Sequence, residues 1–226
     1  MKRRLGNLER QLFAYTQLRG LSELRTGDLV TPLGISPKQE RELLSRLSRT
    51  RMIAQVRRGL YLVPERLPLG GSWSPDESLA LESLVKDRNA RYQICGPNAF
   101  QRYGFDTQVP NRIYLYNDQI SGERKVGTDV FTLIQVADSR LGDTEVADVN
   151  EGCRLIYSSR RRTLLDAIYD WSRFDSLPRA YRWVEDDLAA GRIEVKDLVA
   201  STLKYGNLGS IRRMGVLLER LGVSKR

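Results

Sequence analysis

LGISPKQERELLSRL, running from Leu33 to Leu47, joins a turn to a capped helix, and the reading of its outer face decides the N-terminal fold. Ser36 can cap the helix, Pro37 sits at the first helical position where its missing N–H costs nothing, and Gln39 completes a capping box. These signals predict a helix from Pro37 to about Arg49. At 100° per residue Leu43, Leu44 and Leu47 share one face. Lys38, Arg41, Glu42, Ser45 and Arg49 share the other, with Gln39 and Arg46 on a flank.

Upstream, Leu5, Leu8, Leu12 and Tyr15 form a helical stripe that Gly20 ends. Thr26 is the expected N-cap of a short helix closing near Thr31, because Pro32 disfavours helical geometry in the residue before it. Leu33-Gly34-Ile35 makes the turn. Downstream, Ile53–Val56 and Leu60–Val63 read as a hairpin turned at Gly59, with Arg57 and Arg58 at its tip. Helix, short helix, turn, capped helix and basic-tipped hairpin is the order of a winged helix-turn-helix. In that arrangement the start of the third helix enters a major groove about 12 Å wide. Ser36, Lys38, Gln39 and Arg41 would meet base edges, with Ser45, Arg46 and Arg49 on or beside the same face. Arg57 and Arg58 would reach phosphates or the minor groove. The plainer alternatives are a solvated helix face or a protein-docking module, and Glu42 on the same face counts mildly against DNA.

The charge distribution agrees with a polyanion partner. The chain of 226 residues has a net charge of +9. Residues 1–72 carry 14 Lys and Arg against 6 Asp and Glu; residues 73–200 carry 17 against 21; residues 201–226 carry 6 against 1. Positive charge therefore gathers at the two ends. There is no histidine, which rules out Ser-His-Asp and Cys-His catalysis. The two cysteines, Cys95 and Cys153, stand alone, which points to buried apolar roles rather than a metal site. Neither GxxxxGK[ST] nor GxGxxG occurs, so no cofactor is expected. No apolar run is long enough to span a bilayer and no apolar segment follows the basic start, so a cytoplasmic protein with no membrane partner is expected.

The turn-rich LPLGGSW, Leu67 to Trp73, is the expected connector between a DNA-binding domain over 1–66 and a second domain over 74–226. Ser74-Pro75-Asp76-Glu77 should open a helix reaching Val85. YQICGPNAFQRYGF reads as strand, turn and short helix. NRIYLYND, DVFTLIQV and CRLIYS read as strands, the first two separated by a polar loop, QISGERKVGT. SRRRTLLDAIYDWSRF reads as a helix with apolar positions Leu164, Leu165, Ile168 and Trp171. Helices over Pro178–Ala190, Val195–Lys204 and Leu208–Leu221 follow. The whole is α+β: a winged helix-turn-helix, then a mixed α/β domain with a helical end.

Three segments resemble the AbiEi-type antitoxins of type IV (abortive-infection) toxin–antitoxin systems: GISPKQERELLSRLSRTRMIAQVRRGLYLV, then RTLLDAI at Arg162–Ile168, then RRMGVLLERLG at Arg212–Gly222. The resemblance implies a repressor that binds inverted repeats in its own promoter. It also implies an antitoxin that counters a co-encoded nucleotidyltransferase-like toxin without forming a stable complex with it. Arg160, Arg161 and Arg162 form a second basic cluster, at a helix start where they oppose the dipole. With Arg212 and Arg213 they are a candidate further DNA or toxin-countering surface. Pairing with the acidic run Val184–Leu188 is the rival explanation. Two other functions stay open. One is a ligand-responsive repressor with a pocket near Tyr92, Tyr114, Tyr116 and Trp171. The other is a carboxylate-based nucleic-acid enzyme using Asp166, Asp170, Glu185, Asp186 and Asp187, although no convergent motif supports catalysis.

Overall fold

A computed structural model of the chain describes residues 5–67, 71–150 and 153–223. The basic start at 1–4, the middle of the connector including Gly70, and the side chain of Cys153 lie outside the described residues. The protein is α+β and divides into two compact units. One is Met1–Asp87 with Glu123–Phe131; the other is Arg88–Gly122 with Thr132–Arg226.

The first unit starts with α1 (Asn7–Arg19), closed by Gly20 in the left-handed conformation (φ 61°). Then come β1 (Glu23–Arg25), α2 (Val30–Leu33), α3 (Pro37–Arg49), β2 (Ala54–Arg57) and β3 (Leu60–Leu62). The sheet order is β1-β3-β2, with both pairings antiparallel. Gly59 turns the β2–β3 hairpin at φ 83°, a backbone state that favours glycine. Leu12, Phe13, Leu24, Leu29, Leu43, Leu44, Leu47, Met52 and Ile53 form one core. Each fully buried leucine contributes roughly 1.5–3 kcal/mol of transfer free energy.

Two expectations about this unit are corrected. The short helix runs Val30–Leu33 and contains Pro32 instead of ending at Thr31. Pro32 falls within the first turn, where a backbone N–H has no intrahelical acceptor, so its ring is tolerated. Its start is served not by Thr26 but by Glu40 of α3. The Glu40 carboxylate accepts from Gly27 N (2.7 Å) and Leu29 N (2.9 Å). The segment before it also holds a strand, β1, which the sequence reading left out.

α4 (Glu77–Lys86) is capped by Asp76, whose side chain accepts from Leu79 N (2.9 Å). Ser74 is not the cap; its hydroxyl accepts from Thr128 N (2.9 Å). The units thus part at Asp87 and not at the 67–73 connector, and the first unit takes in Glu123–Phe131 as well.

The rest of the chain builds β4 (Tyr92–Ile94), α5 (Gly96–Arg102), β5 (Ile113–Asn117), β6 (Gly122–Val126), β7 (Asp129–Gln135), β8 (Thr144–Asn150) and β9 (Cys153–Ser158). These strands form a sheet of order β6-β7-β5-β4-β9-β8, in which β4 runs parallel to β9 and antiparallel to β5. β6 and β8 were not foreseen. α6 (Arg160–Tyr169), α7 (Trp171–Phe174), α8 (Arg179–Ala189), α9 (Val195–Tyr205) and α10 (Leu208–Arg220) follow. The one helix expected over SRRRTLLDAIYDWSRF is broken at Asp170. The second core joins Cys95, Phe100, Tyr116, Leu164, Ile168, Phe174, Val184, Leu198 and Met214.

Candidate nucleic-acid interface

α3 is held from three directions. Its leucines bury into the first core. Its start is fixed by the capping box: Ser36 N donates to Gln39 Oε1 (2.8 Å) and Gln39 N to Ser36 Oγ (3.3 Å). Arg46 Nε donates to the buried Glu9 Oε1 (3.1 Å), which ties α3 to α1. Glu9 also accepts from Gly6 N (3.0 Å). Three residues read as DNA contacts, Ser36, Gln39 and Arg46, therefore spend hydrogen bonds on the fold. Ser36 and Gln39 remain exposed, but a bidentate Gln39–adenine contact would first have to open the cap.

The opposite face of α3 is different. Lys38, Arg41, Ser45 and Arg49 are exposed, and none of these cations has an ion-pair partner among the described residues. Glu42 stands exposed beside them. The residue that sequence reasoning missed is Glu40, fully buried on the leucine side. Its signal was its spacing: Glu40, Leu43, Leu44 and Leu47 share the helical stripe. A carboxylate on an apolar stripe must find donors, and the backbone of the preceding turn supplies them.

The hairpin tip divides in the same way. Arg57 is half-buried and makes a two-pronged pair with Asp87, Nε to Oδ2 at 2.5 Å and Nη2 to Oδ1 at 2.6 Å. Arg25 Nη1 joins Asp87 Oδ1 at 3.3 Å. The Arg57 hydrogen bonds hold the Asp87 carboxyl below the usual carboxylate range, with Arg25 adding to the effect. Arg57, expected to contact phosphates, thus bolts the hairpin to the end of α4. Arg58 is exposed at the tip and has no ion-pair partner among the described residues.

In the second basic cluster each arginine is paired with a carboxylate. Arg162 is fully buried. Its Nε donates to Asp166 Oδ1 (2.9 Å), its Nη1 to Gly142 O (3.0 Å) and its Nη2 to Arg140 O (2.7 Å). Its guanidinium lies 4.4 Å from the Tyr205 ring centroid. Arg160 grips Asp187 through Nε (2.6 Å) and Nη2 (2.8 Å), and Arg161 Nε donates to Asp143 Oδ2 (2.9 Å). Burial alone would push the Asp143 carboxyl up, but Arg161 and neighbouring hydroxyls hold it below its ordinary value. Carboxylates, not phosphates, therefore offset three arginines at a helix start. Arg160 meets the acidic run as the rival explanation expected, while Arg161 and Arg162 find other partners. Arg212 is exposed, and Arg213 lies 5.7 Å from the Trp171 ring centroid.

Several of the residues named for the two rival functions are committed elsewhere. Asp166 accepts from Ser158 Oγ (3.0 Å) as well as Arg162, and Asp187 takes Arg192 Nε (2.6 Å) as well as Arg160. Tyr116 is buried and donates to Asp170 Oδ2 (2.6 Å). Burial, followed by the Asp166 charge, pushes both the Tyr116 phenol and the Cys95 thiol well up. Among the described residues no cluster of three or more Cys, Asp and Glu side chains is placed to hold a metal ion. Among the described residues, no helix is long and apolar enough to cross a membrane.

Residues 32–144 match the model of a family of unknown function, DUF6088, and the chain belongs to that family. No curated protein matches it. Among solved structures, it resembles the crystal structure of RV2827C protein from Mycobacterium tuberculosis. That match has 16% identity and a TM-score of 0.60, over 96% of this chain and 78% of that one. The likeness is one of fold.

Proposed function

For this member of a family of unknown function, we propose a cytoplasmic, non-enzymatic winged helix-turn-helix repressor that binds double-stranded promoter DNA. α3 is its reading helix and the β2–β3 hairpin its wing. One observation carries the reading. Lys38, Arg41, Arg49 and Arg58 project from rigid elements without carboxylate partners, whereas Arg46, Arg57 and Arg160–Arg162 are paired. A positively charged face that the fold leaves unused fits a phosphate backbone. Arg41 and Lys38, near the helix start, suit guanine edges, and Ser45 suits either base type. Arg58 suits a backbone or minor-groove contact from the wing.

The resemblance to AbiEi-type antitoxins extends this reading to autorepression at inverted repeats and to countering a co-encoded nucleotidyltransferase-like toxin. The second unit would carry the antitoxin role, with the exposed Arg212 of the C-terminal motif contributing. A gel-shift assay with the DNA upstream of the gene tests the first part. Arg41→Ala should cost roughly 1–3 kcal/mol of discrimination between operator and scrambled duplex. Absence of binding at low salt would reject it. Co-expression with the neighbouring gene tests the second part: the Arg41→Ala chain should rescue growth while failing to repress. If the intact chain never rescues, the antitoxin role is lost and the repressor role survives.

A further inference from the structure

We infer that a groove behind the C-terminal end of α3 is a second phosphate site, one that grips the DNA backbone outside the segment α3 reads; it rests on the DNA-binding reading above. The groove has a volume of about 310 Å³ and lies wholly within the first unit. Its lining brings together Arg49, Arg51, Lys125, Gln55, Ser48 and the Trp73 ring, and no carboxylate contributes to it. Three exposed cations converge on one concavity, Arg49 and Arg51 from the end of α3 and Lys125 from a segment far away in sequence. None of the three has an ion-pair partner among the described residues.

The groove is built rather than incidental. Arg51 adopts φ 56°, a left-handed state that side chains rarely take. It is held there by Trp73 N, which donates to Arg51 O at 2.6 Å. The next residue, Ser74, fixes the turn that carries Lys125: its hydroxyl lies 3.0 Å from Thr128 Oγ1 and accepts from Thr128 N at 2.9 Å. Gly127 makes this approach feasible. It has φ 62°, and a Cβ there would overlap the Ser74 hydroxyl and crowd Pro75. Each wall is thus pinned to the next by a named bond. Left-handed backbone in a side-chain residue tends to persist where a site requires it. Cations with an aromatic face and no acid suit a phosphodiester with its attached sugar and base. The groove lies at the C-terminal end of α3, away from the helix start that would meet base edges, so its cations are placed for phosphates. Its contribution should therefore be independent of sequence.

The test uses the full chain, the duplex from upstream of its own gene and a scrambled duplex of equal length, across a salt series. Lys125→Ala removes an exposed charge, and Arg51→Gly removes a charge while suiting the left-handed backbone. Each should reduce the slope of log affinity against log salt by about one. Both should weaken the two duplexes by the same factor, and Lys125→Arg should retain the wild-type slope. If the double variant keeps wild-type affinity and slope while Arg41→Ala still erodes discrimination, the groove inference fails and the α3 reading stands. If the wild type binds neither duplex, both fail. A measurement without substitutions covers the case of a variant that does not fold. The Trp73 indole N–H resonance of the wild type should shift on adding scrambled duplex and return at high salt, and an unmoved resonance overturns the site.

Discussion

α3 and α6 begin alike and end as opposites. Each is capped by a serine, Ser36 or Ser159, whose side chain accepts from the third residue of its helix. Each carries arginines in or near its first turns. In α6 every one of them meets a carboxylate, and Arg162 is sealed from solvent. In α3 Arg46 is paired, while Lys38, Arg41 and Arg49 are exposed without ion pairs among the described residues. The density of positive charge in the sequence, greater at Arg160–Arg162 than at α3, therefore does not measure how much charge each helix leaves unpaired. The informative quantity is charge left over after the fold has used what it needs, because a paired arginine offers a polyanion little and its removal damages the protein first.

The sharpest way to break this contrast is to truncate one arginine on each helix. Arg162→Ala leaves Asp166 buried beside two unserved carbonyls and should cost about 3–5 kcal/mol, read as a collapse of the denaturant midpoint. If its stability stays near wild type, the buried network is not a keystone. Asp87 tests whether the hairpin arginine belongs with α6. Asp87→Asn should destabilise the first unit by about 1–2 kcal/mol, a figure reduced for partly exposed arginines. Because the folded carboxyl titrates below its unfolded value, its contribution is complete above about pH 4 and fades as pH falls through the folded value. Asp87→Asn should therefore flatten part of the acid limb of a melting-temperature profile, and a limb unchanged from wild type would exclude the pair as its source. Ser36→Ala should cost about 1 kcal/mol as a lost N-cap and free Gln39 from its capping role; thermal unfolding reads the first effect. Arg41→Ala should change stability by no more than about 0.5 kcal/mol. A larger loss would mean that Arg41 is structural and would remove the contrast altogether.

Much of the first unit was legible because its signals are local. The cap, the leucine stripe and the Gly59 turn depend on neighbours within a few residues. What was missed has physical reasons. Glu40 was overlooked because polar residues were sorted by charge and not by their place on the stripe. The Arg162–Asp166 pair was readable from its four-residue spacing, but its burial depends on Arg140, Gly142 and Tyr205 arriving from elsewhere. β6 and β8 lie at the two edges of their sheet. β6 exposes Glu123, Arg124 and Lys125, and β8 exposes Thr144, Glu145, Val146 and Asp148. Such strands are held through backbone pairing, so no apolar alternation announces them. The candidate reading face was only partly legible. Sequence found its members but could not separate Arg41 from Arg46, because that depends on where Glu9 lands.

The inclusion of Glu123–Phe131 in the first unit bears on how the molecule is made. A ribosome delivers the chain from the N-terminus, and domains tend to fold as they emerge. Here α1 to β3 can be finished early, yet the unit that carries α3 stays incomplete until Phe131 has left the exit tunnel, well after the β2–β3 hairpin has emerged. A nascent chain stalled before that point would present α3 without the turn that carries Lys125, and a fragment designed to end at the connector would do the same permanently.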